Sequence, residues 1–476
     1  MNYYTINEQY KNRTAVIDDT GLTLKYADLY QLSHVFQEKL PSRSLVFSFC
    51  HNSAGSLAGY FAFLSNQIVP VLLDRNIDEE LAKNLLQVYQ PEYIYIPASM
   101  KNIYGNFTCI HEQYDYCLLQ TNYGVSHSLY PELALLLTTS GSTGSPKFVR
   151  QSYGNIQSNA ESIVQYLKLD QTERPITTLP MNYTYGLSII NSHLLVGAVV
   201  LMTDRSLMER EFWEFFKSNE ATSFGGVPYT YEMLKKLRFF RMDLPSLRTM
   251  TQAGGKLSPE LHREFAEYAA QHKKQFVVMY GQTEATARMA YLPYEKSLEK
   301  YGSMGIAIPG GKFTLVDVNG QAITQPDVVG ELIYEGENVT LGYAESMEDL
   351  AKGDERQGRL VTGDMAKMDQ DGYFYIVGRK KRFLKIYGNR VNLDEVERML
   401  KEKFPETDFA CAGKDDKLYA FLTSTDETLK EQVKKYLTEK TGLNHKAFHV
   451  KELEKIPKNE AGKTLYIKLE EYYDGI

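Results

Sequence analysis

The densest run of chemistry-bearing residues lies between Leu135 and Val149, in LLLTTSGSTGSPKFV. An apolar run leads straight into Thr139, Ser140, Gly141, Ser142, Thr143, Gly144, Ser145, Pro146 and Lys147. Glycines let backbone N–H groups approach an anion, hydroxyls add donors, and a lysine adds a point charge. That combination suits a polyphosphate. A Walker A loop needs GxxxxGK[ST], but Lys147 follows Pro146 and precedes Phe148. A nucleophile elbow needs GxSxG, and no serine of the loop is flanked that way. A flexible linker is the weaker reading, because the loop follows an apolar strand and carries a lysine at its end. Other chemistries find less support. The nine histidines are dispersed and no HExxH occurs. The cysteines Cys50, Cys109, Cys117 and Cys411 form no CxxC pair, which argues against a structural zinc or a disulfide framework.

The loop resembles the phosphate loop of the adenylate-forming superfamily, which includes acyl-CoA synthetases, luciferases and the adenylation domains of peptide synthetases. Further stretches resemble that family's motifs, in family order and over nearly the whole chain. LPMNYTYGLS from Leu179 looks like the substrate-side motif, and TSFGGVPYTYEML from Thr222 and LRTMTQAGGKLS from Leu247 look like the next two. MYGQTEATARM from Met279 is similar to the adenine and metal motif. VTGDMAKMDQDGYFYIVGRKKRFLKIYGNRV from Val361 is similar to the ribose and hinge block, and IPKNEAGKT from Ile456 to the C-terminal lysine motif.

The resemblance implies a role for each matched residue. Lys463 reaches the α-phosphate and the substrate carboxylate, where a cation offsets the meeting of two anions. Thr283 binds the α-phosphate, and Glu284 holds Mg²⁺ through its carboxylate. Tyr280 lies against adenine beside Gly281, and Gly254 and Gly255 wall the nucleotide and acyl group. Asp364 accepts from the ribose hydroxyls, Arg379 donates to the ribose, and Lys385 matches a lysine near the nucleotide, with a solvated basic face as the alternative reading for it. Lys381 stands at the hinge about which the small domain rotates between two half-reactions, and Gly388 lines the thiol tunnel. Tyr183, Tyr229, Gly254 and Met289 fall where the family lines its acyl pocket.

The substrate implied is a carboxylic acid, activated as an acyl-adenylate with ATP and then passed to a pantetheine thiol. Amino-acid-activating relatives place aspartate in the motif that holds Tyr183, and no acidic residue occurs between Leu179 and Ile190. An unpaired buried ammonium is costly, which disfavours an α-amino acid. Arg288 is an unusual neighbour, expected first to form a structural salt bridge, with a second carboxylate on the substrate as the alternative. The acceptor reads as coenzyme A, with a carrier-protein phosphopantetheine as the alternative. A carrier would dock on a basic rim such as Arg379, Lys380, Lys381 and Arg382. A catalytically silent nucleotide-binding protein is the reading from another class.

These residues need a scaffold, and its pattern is legible. SLVFSF, IVPVLL, EYIYI, ELALLLTTS, GAVVLM and QFVVMY are short apolar runs bounded by polar residues, Gly or Pro, and read as buried strands. Ile156, Ala160, Ile163, Val164 and Leu167 share a helical face, with Asn155 as the expected N-cap. Strands alternating with helices predict an α/β fold with largely parallel sheets. From about residue 312 to 378 strands follow one another with short turns, which predicts a small antiparallel sheet or barrel. Beyond it, amphipathic helices at Val396–Leu400 and Leu429–Leu437 flank the strand LYAFLTS. The predicted organisation is a large N-terminal core over 1–380 and a small, mobile α+β domain over 381–476.

Composition agrees with this. The chain has 476 residues, room for about three folding units. Hydrophobic residues make up 43% and charged residues 24%, as in globular proteins. A net charge of -7 argues against nonspecific nucleic-acid binding. The N-terminus lacks a signal peptide's apolar core. The longest clean apolar run, Leu194 to Met202, is far short of the ~20 residues of a spanning helix. The expectation is a soluble, cytoplasmic protein.

Overall fold

Two large sheets form where the apolar runs were read. The structure, a computed structural model, describes residues 5, 7–138, 147–386, 389–458 and 464–473. The chain divides into two units, Met1–Phe313 with Tyr334–Leu360, and Thr314–Ile333 with Val361–Ile476.

In the first unit an eight-stranded sheet has the order Gly342–Ala344, Phe148–Ser152, Leu133–Thr138, Val69–Asp74, Leu45–Cys50, Tyr93–Pro97, Tyr116–Gln120, Thr108–Gln113. Its centre is parallel and its margins antiparallel. Successive side chains of a strand point to opposite faces. Leu45, Phe47 and Phe49 accordingly enter one apolar cluster, and Val46 and Cys50 the other. Both faces are covered, so these strands are apolar throughout rather than alternating.

A nine-stranded sheet runs Ile306–Ala307, Ala290–Tyr291, Gln275–Tyr280, Thr249–Gln252, Ser223–Gly226, Pro175–Ile176, Val200–Met202, Thr14–Asp18, Thr23–Lys25. It too is parallel in the middle and antiparallel at both ends. One cluster draws on strands of both sheets and on the helices Tyr26–Lys39, Ala54–Ser65 and Thr184–Leu195. The helix Ala54–Ser65 is buried from Ala54 to Leu64, as a helix enclosed on every side must be.

The helix carrying Ile156 begins earlier than its apolar face suggests. It spans Tyr153–Leu167 and Ser152 is its N-cap, so the assignment of Asn155 as cap is corrected. Ser152 Oγ accepts from Asn155 N at 3.0 Å, and Asn155 Oδ1 accepts from Ser152 N at 2.9 Å. Asn155 is the reciprocal member of a capping box. Its amide also donates to the carbonyls of Glu337 and Val339.

The segment expected as a sheet or barrel, most of which falls in the second unit, is a five-stranded sheet. Its order is Ala322–Ile323, Lys312–Val316, Gly330–Glu335, Arg359–Met368, Phe374–Arg379. The helix Leu393–Lys403, the hairpin Phe409–Lys414 with Lys417–Leu422, the helix Glu427–Thr441 and the parallel strand Phe448–Glu452 follow. They enclose a core that includes Val396, Leu400, Leu418, Val433 and Leu437.

Candidate active site

The strand Gln275–Tyr280 delivers the most informative corner. It ends at Tyr280, and the chain doubles back through the 3₁₀ turn Thr283–Ala285 to pair Tyr280 with Ala290. Only glycine fits at 281, because a Cβ there would lie 1.5 Å from the Ala287 carbonyl oxygen. Thr286 and Ala287 take positive φ of 52° and 93°, a conformation that side chains disfavour and that surrounding contacts must impose. Those contacts come from 338–340. Thr286 Oγ1 donates to Asn338 O, Asn338 Nδ2 donates to Ala285 O and Arg288 O, and Thr340 N donates to Glu284 O.

Held in this way, Glu284 meets Tyr343, whose hydroxyl donates to Glu284 Oε1 at 2.7 Å. The Tyr343 ring carries two cations, with Lys147 Nζ 3.8 Å and Arg356 Cζ 4.7 Å from its centroid. Lys147 also pairs with Glu345 at 3.2 Å. Arg356 donates to Glu284 O and to Thr340 Oγ1. Burial first, and the Glu284 charge second, push the Tyr343 hydroxyl up to about 12, so it stays a donor. One carboxylate and two cations thus converge on one tyrosine, and one of the cations, Lys147, directly follows the segment 139–146 in sequence. Among the described residues Glu284 has no cationic side chain within salt-bridge distance, which leaves its carboxylate able to take a metal ion. Its oxygen chemistry fits magnesium.

Tyr343 and Arg356 were not foreseen. They lie in LGYAES and GDERQGR, which have no motif character, and only the fold brings them to Glu284. Arg150 holds their segment in place. It is fully buried, pairs with Glu355 at 2.5 Å and donates to the carbonyls of Leu341, Tyr343, Lys352 and Gly353.

A second group forms around Gly254, whose φ is +82°. A Cβ there would stand 2.8 Å from the Tyr183 hydroxyl and 3.0 Å from Val227 Cγ1. Tyr183 and Gly254, both expected in the acyl pocket, are therefore neighbours. Gly255 faces Pro228 in the same manner, at 3.0 Å. Tyr183 precedes the helix Thr184–Leu195, and burial raises its hydroxyl's pKa. Met289 is buried and bonds through its backbone to Tyr280 and Ile308. Tyr229, in the first turn of Pro228–Lys236, is 51% exposed. Thr283 is buried, and Tyr280 is half-buried with its ring 6.4 Å from that of Phe313.

In the second unit Asp364 and Arg379 are direct cross-strand partners. Asp364 is buried, and its Oδ1 accepts from Arg379 Nε at 2.8 Å. Arg379 also donates to Thr362 O, and its backbone N–H to Asp394 Oδ2. The basic cluster that follows is not one uniform rim. Lys380 pairs with Glu331, Lys381 is exposed, and Arg382 is buried against Asp394, Glu397 and the Tyr466 ring. Lys385 belongs to the strand Phe383–Ile386. Thr139, Ser140, Gly141, Ser142, Thr143, Gly144, Gly388 and Lys463 lie outside the described residues.

The hairpin Thr108–Gln113 with Tyr116–Gln120 gathers Cys109, Glu112 and Cys117, which their spacing does not announce. Glu112 is paired with Lys101 at 2.6 Å, and burial pushes the Cys117 thiol up to about 12. A protonated thiol and an engaged carboxylate make a poor metal set.

Comparison with known proteins bears on this arrangement. The AMP-binding enzyme family matches residues 4–344. The chain is 29% identical over 351 residues to the peroxisomal OPC-8:0-CoA ligase 1 of Arabidopsis thaliana, a match covering 70% of this chain and 63% of that one. It is 28% identical over 346 residues to the 2-succinylbenzoate–CoA ligase of Bacillus licheniformis, covering 71% and 70%. The match to the first of these thus spans less than two thirds of its length. In structure the chain is similar to O-succinylbenzoate coenzyme A synthetase from Bacillus subtilis in complex with ATP and magnesium ion. The TM-score is 0.77 at 21% identity, over 96% of both chains. It is equally similar to ATP-bound MatB from Rhodopseudomonas palustris, with a TM-score of 0.77 at 20% identity, over 100% and 99%. At these identities the likeness is one of fold.

Proposed function

Because the chain belongs to the AMP-binding enzyme family, we propose that it is an AMP-forming carboxylate–CoA ligase. A carboxylate oxygen attacks the α-phosphorus of ATP and pyrophosphate leaves. The coenzyme A thiol then attacks the acyl carbon, giving a thioester and AMP. The observation that carries this reading is the corner in which Tyr343 joins Glu284 to Lys147. A carboxylate beside cations at the end of a glycine-rich loop suits a triphosphate with its divalent ion. Magnesium, when bound at Glu284, neutralises phosphate charge.

The remaining roles follow from the residues. Thr283 and the loop of Thr139, Ser140, Gly141, Ser142, Thr143 and Gly144 hold phosphates, with Lys147 as their cation. Tyr280 and Gly281 border adenine, with Gly254 and Gly255 as a wall. Asp364, released from Arg379, accepts from the ribose hydroxyls, and Arg379 donates to them. Lys385 lies near the nucleotide, and Gly388 lines the path of the thiol. The acyl group lies against Tyr183, Gly254 and Met289, with Tyr229 at the mouth. Residues 1–380 form the core and 381–476 the moving domain, with Lys381 as pivot and Lys463 as the cation at the reacting centre. Coenzyme A is favoured as acceptor over a carrier protein, since the relatives above are named as CoA ligases and Arg382 is buried rather than offered to a partner. No helix among the described residues is long and apolar enough to cross a membrane. The four cysteines, all unpaired, fit a reducing compartment, and we place the protein in the cytoplasm.

Carboxylate-dependent exchange of pyrophosphate into ATP, measured without thiol over aryl, fatty, short-chain and dicarboxylic acids, tests the reading. Exchange with one acid class is expected. Lys463→Ala should lower it by ~10²–10³ while leaving the circular dichroism unchanged. ATP binding without exchange for any acid would leave only a nucleotide-binding protein.

A further inference from the structure

Three arginines are less than a tenth exposed among the described residues: Arg150, Arg382 and Arg288. Arg150 is paired with Glu355, and Arg382 with Asp394 and Glu397. Arg288, at 3% exposure, has no carboxylate among the described residues. Its Nε donates to Ser188 Oγ at 3.0 Å, and its Nη1 to Tyr166 OH at 3.0 Å and to Met279 Sδ at 3.1 Å. Its guanidinium carbon lies 5.1 Å from the Tyr185 ring centroid. No hydrogen bond of Nη2 is found among the described residues.

Every one of these partners is neutral. Burial raises the pKa of Tyr166 and Tyr185 and holds nearby His193 down at about 4, so none supplies a negative charge. A guanidinium cannot shed its proton to escape burial. A buried cation without a counter-ion is costly, and an anion brought beside it offsets that cost.

The surroundings point to that ligand. Tyr185 and Met279 belong to the same apolar cluster as Val227 and Ala253, with Tyr166 and Tyr183 packed against it. Tyr183 is the residue whose hydroxyl faces Gly254, and its ring centroid is 6.4 Å from that of Tyr185. Arg288 therefore stands across two adjoining tyrosines from the wall of the acyl pocket. It immediately precedes Met289 and follows Glu284 by four residues.

Resting on the ligase reading, we infer that Arg288 recognises a second anionic group on the substrate, so that the acid activated is a dicarboxylate or another acid with a negatively charged far end. One carboxylate reacts, while the other takes a hydrogen bond from Nη2 and neutralises the guanidinium. The same charge repels an α-ammonium group.

The experiment compares acids of equal length that end in a carboxylate or a methyl group: succinate with butyrate, glutarate with pentanoate, adipate with hexanoate. Pyrophosphate exchange is measured for the wild-type chain, Arg288→Met and Arg288→Lys. In the wild type the dicarboxylate of the best pair should be favoured. Arg288→Met should shift the ratio of kcat/KM values toward the monocarboxylate by about 30-fold or more, mostly through KM for the acid. Arg288→Lys should restore part of it. Thermal stabilisation of the wild type by the same acids gives a readout independent of turnover, and it stands even where Arg288→Met does not fold. A wild type that turns over monocarboxylates without preferring their dicarboxylate partners overturns this inference and leaves the ligase intact. A wild type that exchanges with none of these six acids nor with any of the wider panel above overturns the ligase and this inference with it.

Discussion

Tyr343 shows how a single side chain organises a charged corner. Its hydroxyl orients Glu284, and its ring face holds Lys147 and Arg356. Tyr343→Phe keeps the face and deletes the tether. A hydrogen bond to a charged group is worth about 1.5–3 kcal/mol, and water replaces part of it at a half-buried site. The expected result is a loss of about 10-fold in pyrophosphate exchange at limiting Mg²⁺, recovered in part at high Mg²⁺. An unchanged magnesium profile would mean that Glu284 is oriented by its backbone alone. Gly254 is the converse, a position defined by what it lacks. Its positive φ and the nearby Tyr183 hydroxyl leave no room for a side chain, whatever the neighbouring residues prefer.

At the scale of elements, the corner depends on a short strand laid beside a longer one. Gly342–Ala344 pairs antiparallel with Phe148–Ser152, and this pairing sets Tyr343 opposite Val149, two residues from Lys147. Arg150 secures the pair from within, reaching four carbonyls and Glu355. Removing it would take the shared donor from those carbonyls and the cation from Glu355, with the Leu341 carbonyl the most enclosed of them. Arg150→Met should cost about 3 kcal/mol of stability, read from urea midpoints. It should also lower exchange beyond what the stability loss explains, because Tyr343 would lose its placement. Full activity in a destabilised variant would restrict Arg150 to a structural role. The helix Tyr153–Leu167 illustrates a related point. Its apolar face begins at Ile156, but the helix starts at Tyr153, because the Ser152–Asn155 capping box fixes the end and the apolar stripe does not.

For the whole molecule, buried histidines set an acid limit on the first unit. His193 and His262 are held at about 4, chiefly by burial, against an ordinary value near 6.5. His193 Nδ1 is bonded to the Ile189 carbonyl, and His262 joins Ser297 Oγ and Gly302 N. Between these pH values the unfolded chain takes up protons that the folded unit refuses. Stability is therefore fully present above about pH 6.5 and falls as the pH drops, by up to about 1.4 kcal/mol per unit for each histidine. Urea unfolding at about pH 7 and about pH 5 should show this loss, and His193→Gln with His262→Gln should flatten it. An equal slope in that double variant would assign the acid sensitivity to other groups. The two units need not unfold together, so the transition to follow is that of the first.

The sequence by itself determined which segments become strands and the order of the motifs. Burial on both faces makes a strand continuously apolar, and a close backbone approach demands glycine; both leave local marks, as in LVFSFC and at Gly281. It also singled out Tyr183, Gly254, Asp364 and Arg379 through their motifs; Tyr183 and Gly254 are neighbours, and strand register pairs Asp364 with Arg379. The glycine-rich segment 139–146, Gly388 and Lys463 were legible as motifs and lie outside the described residues. Only the tertiary structure decided that Tyr343 and Arg356 belong with Glu284, which lies 59 and 72 residues away in the chain. It alone showed that Arg382 is buried against two carboxylates, while Arg288 is buried with no carboxylate among the described residues. Charge balance inside a protein is a matter of distance in space, and no local pattern of residue types records which cation meets a carboxylate.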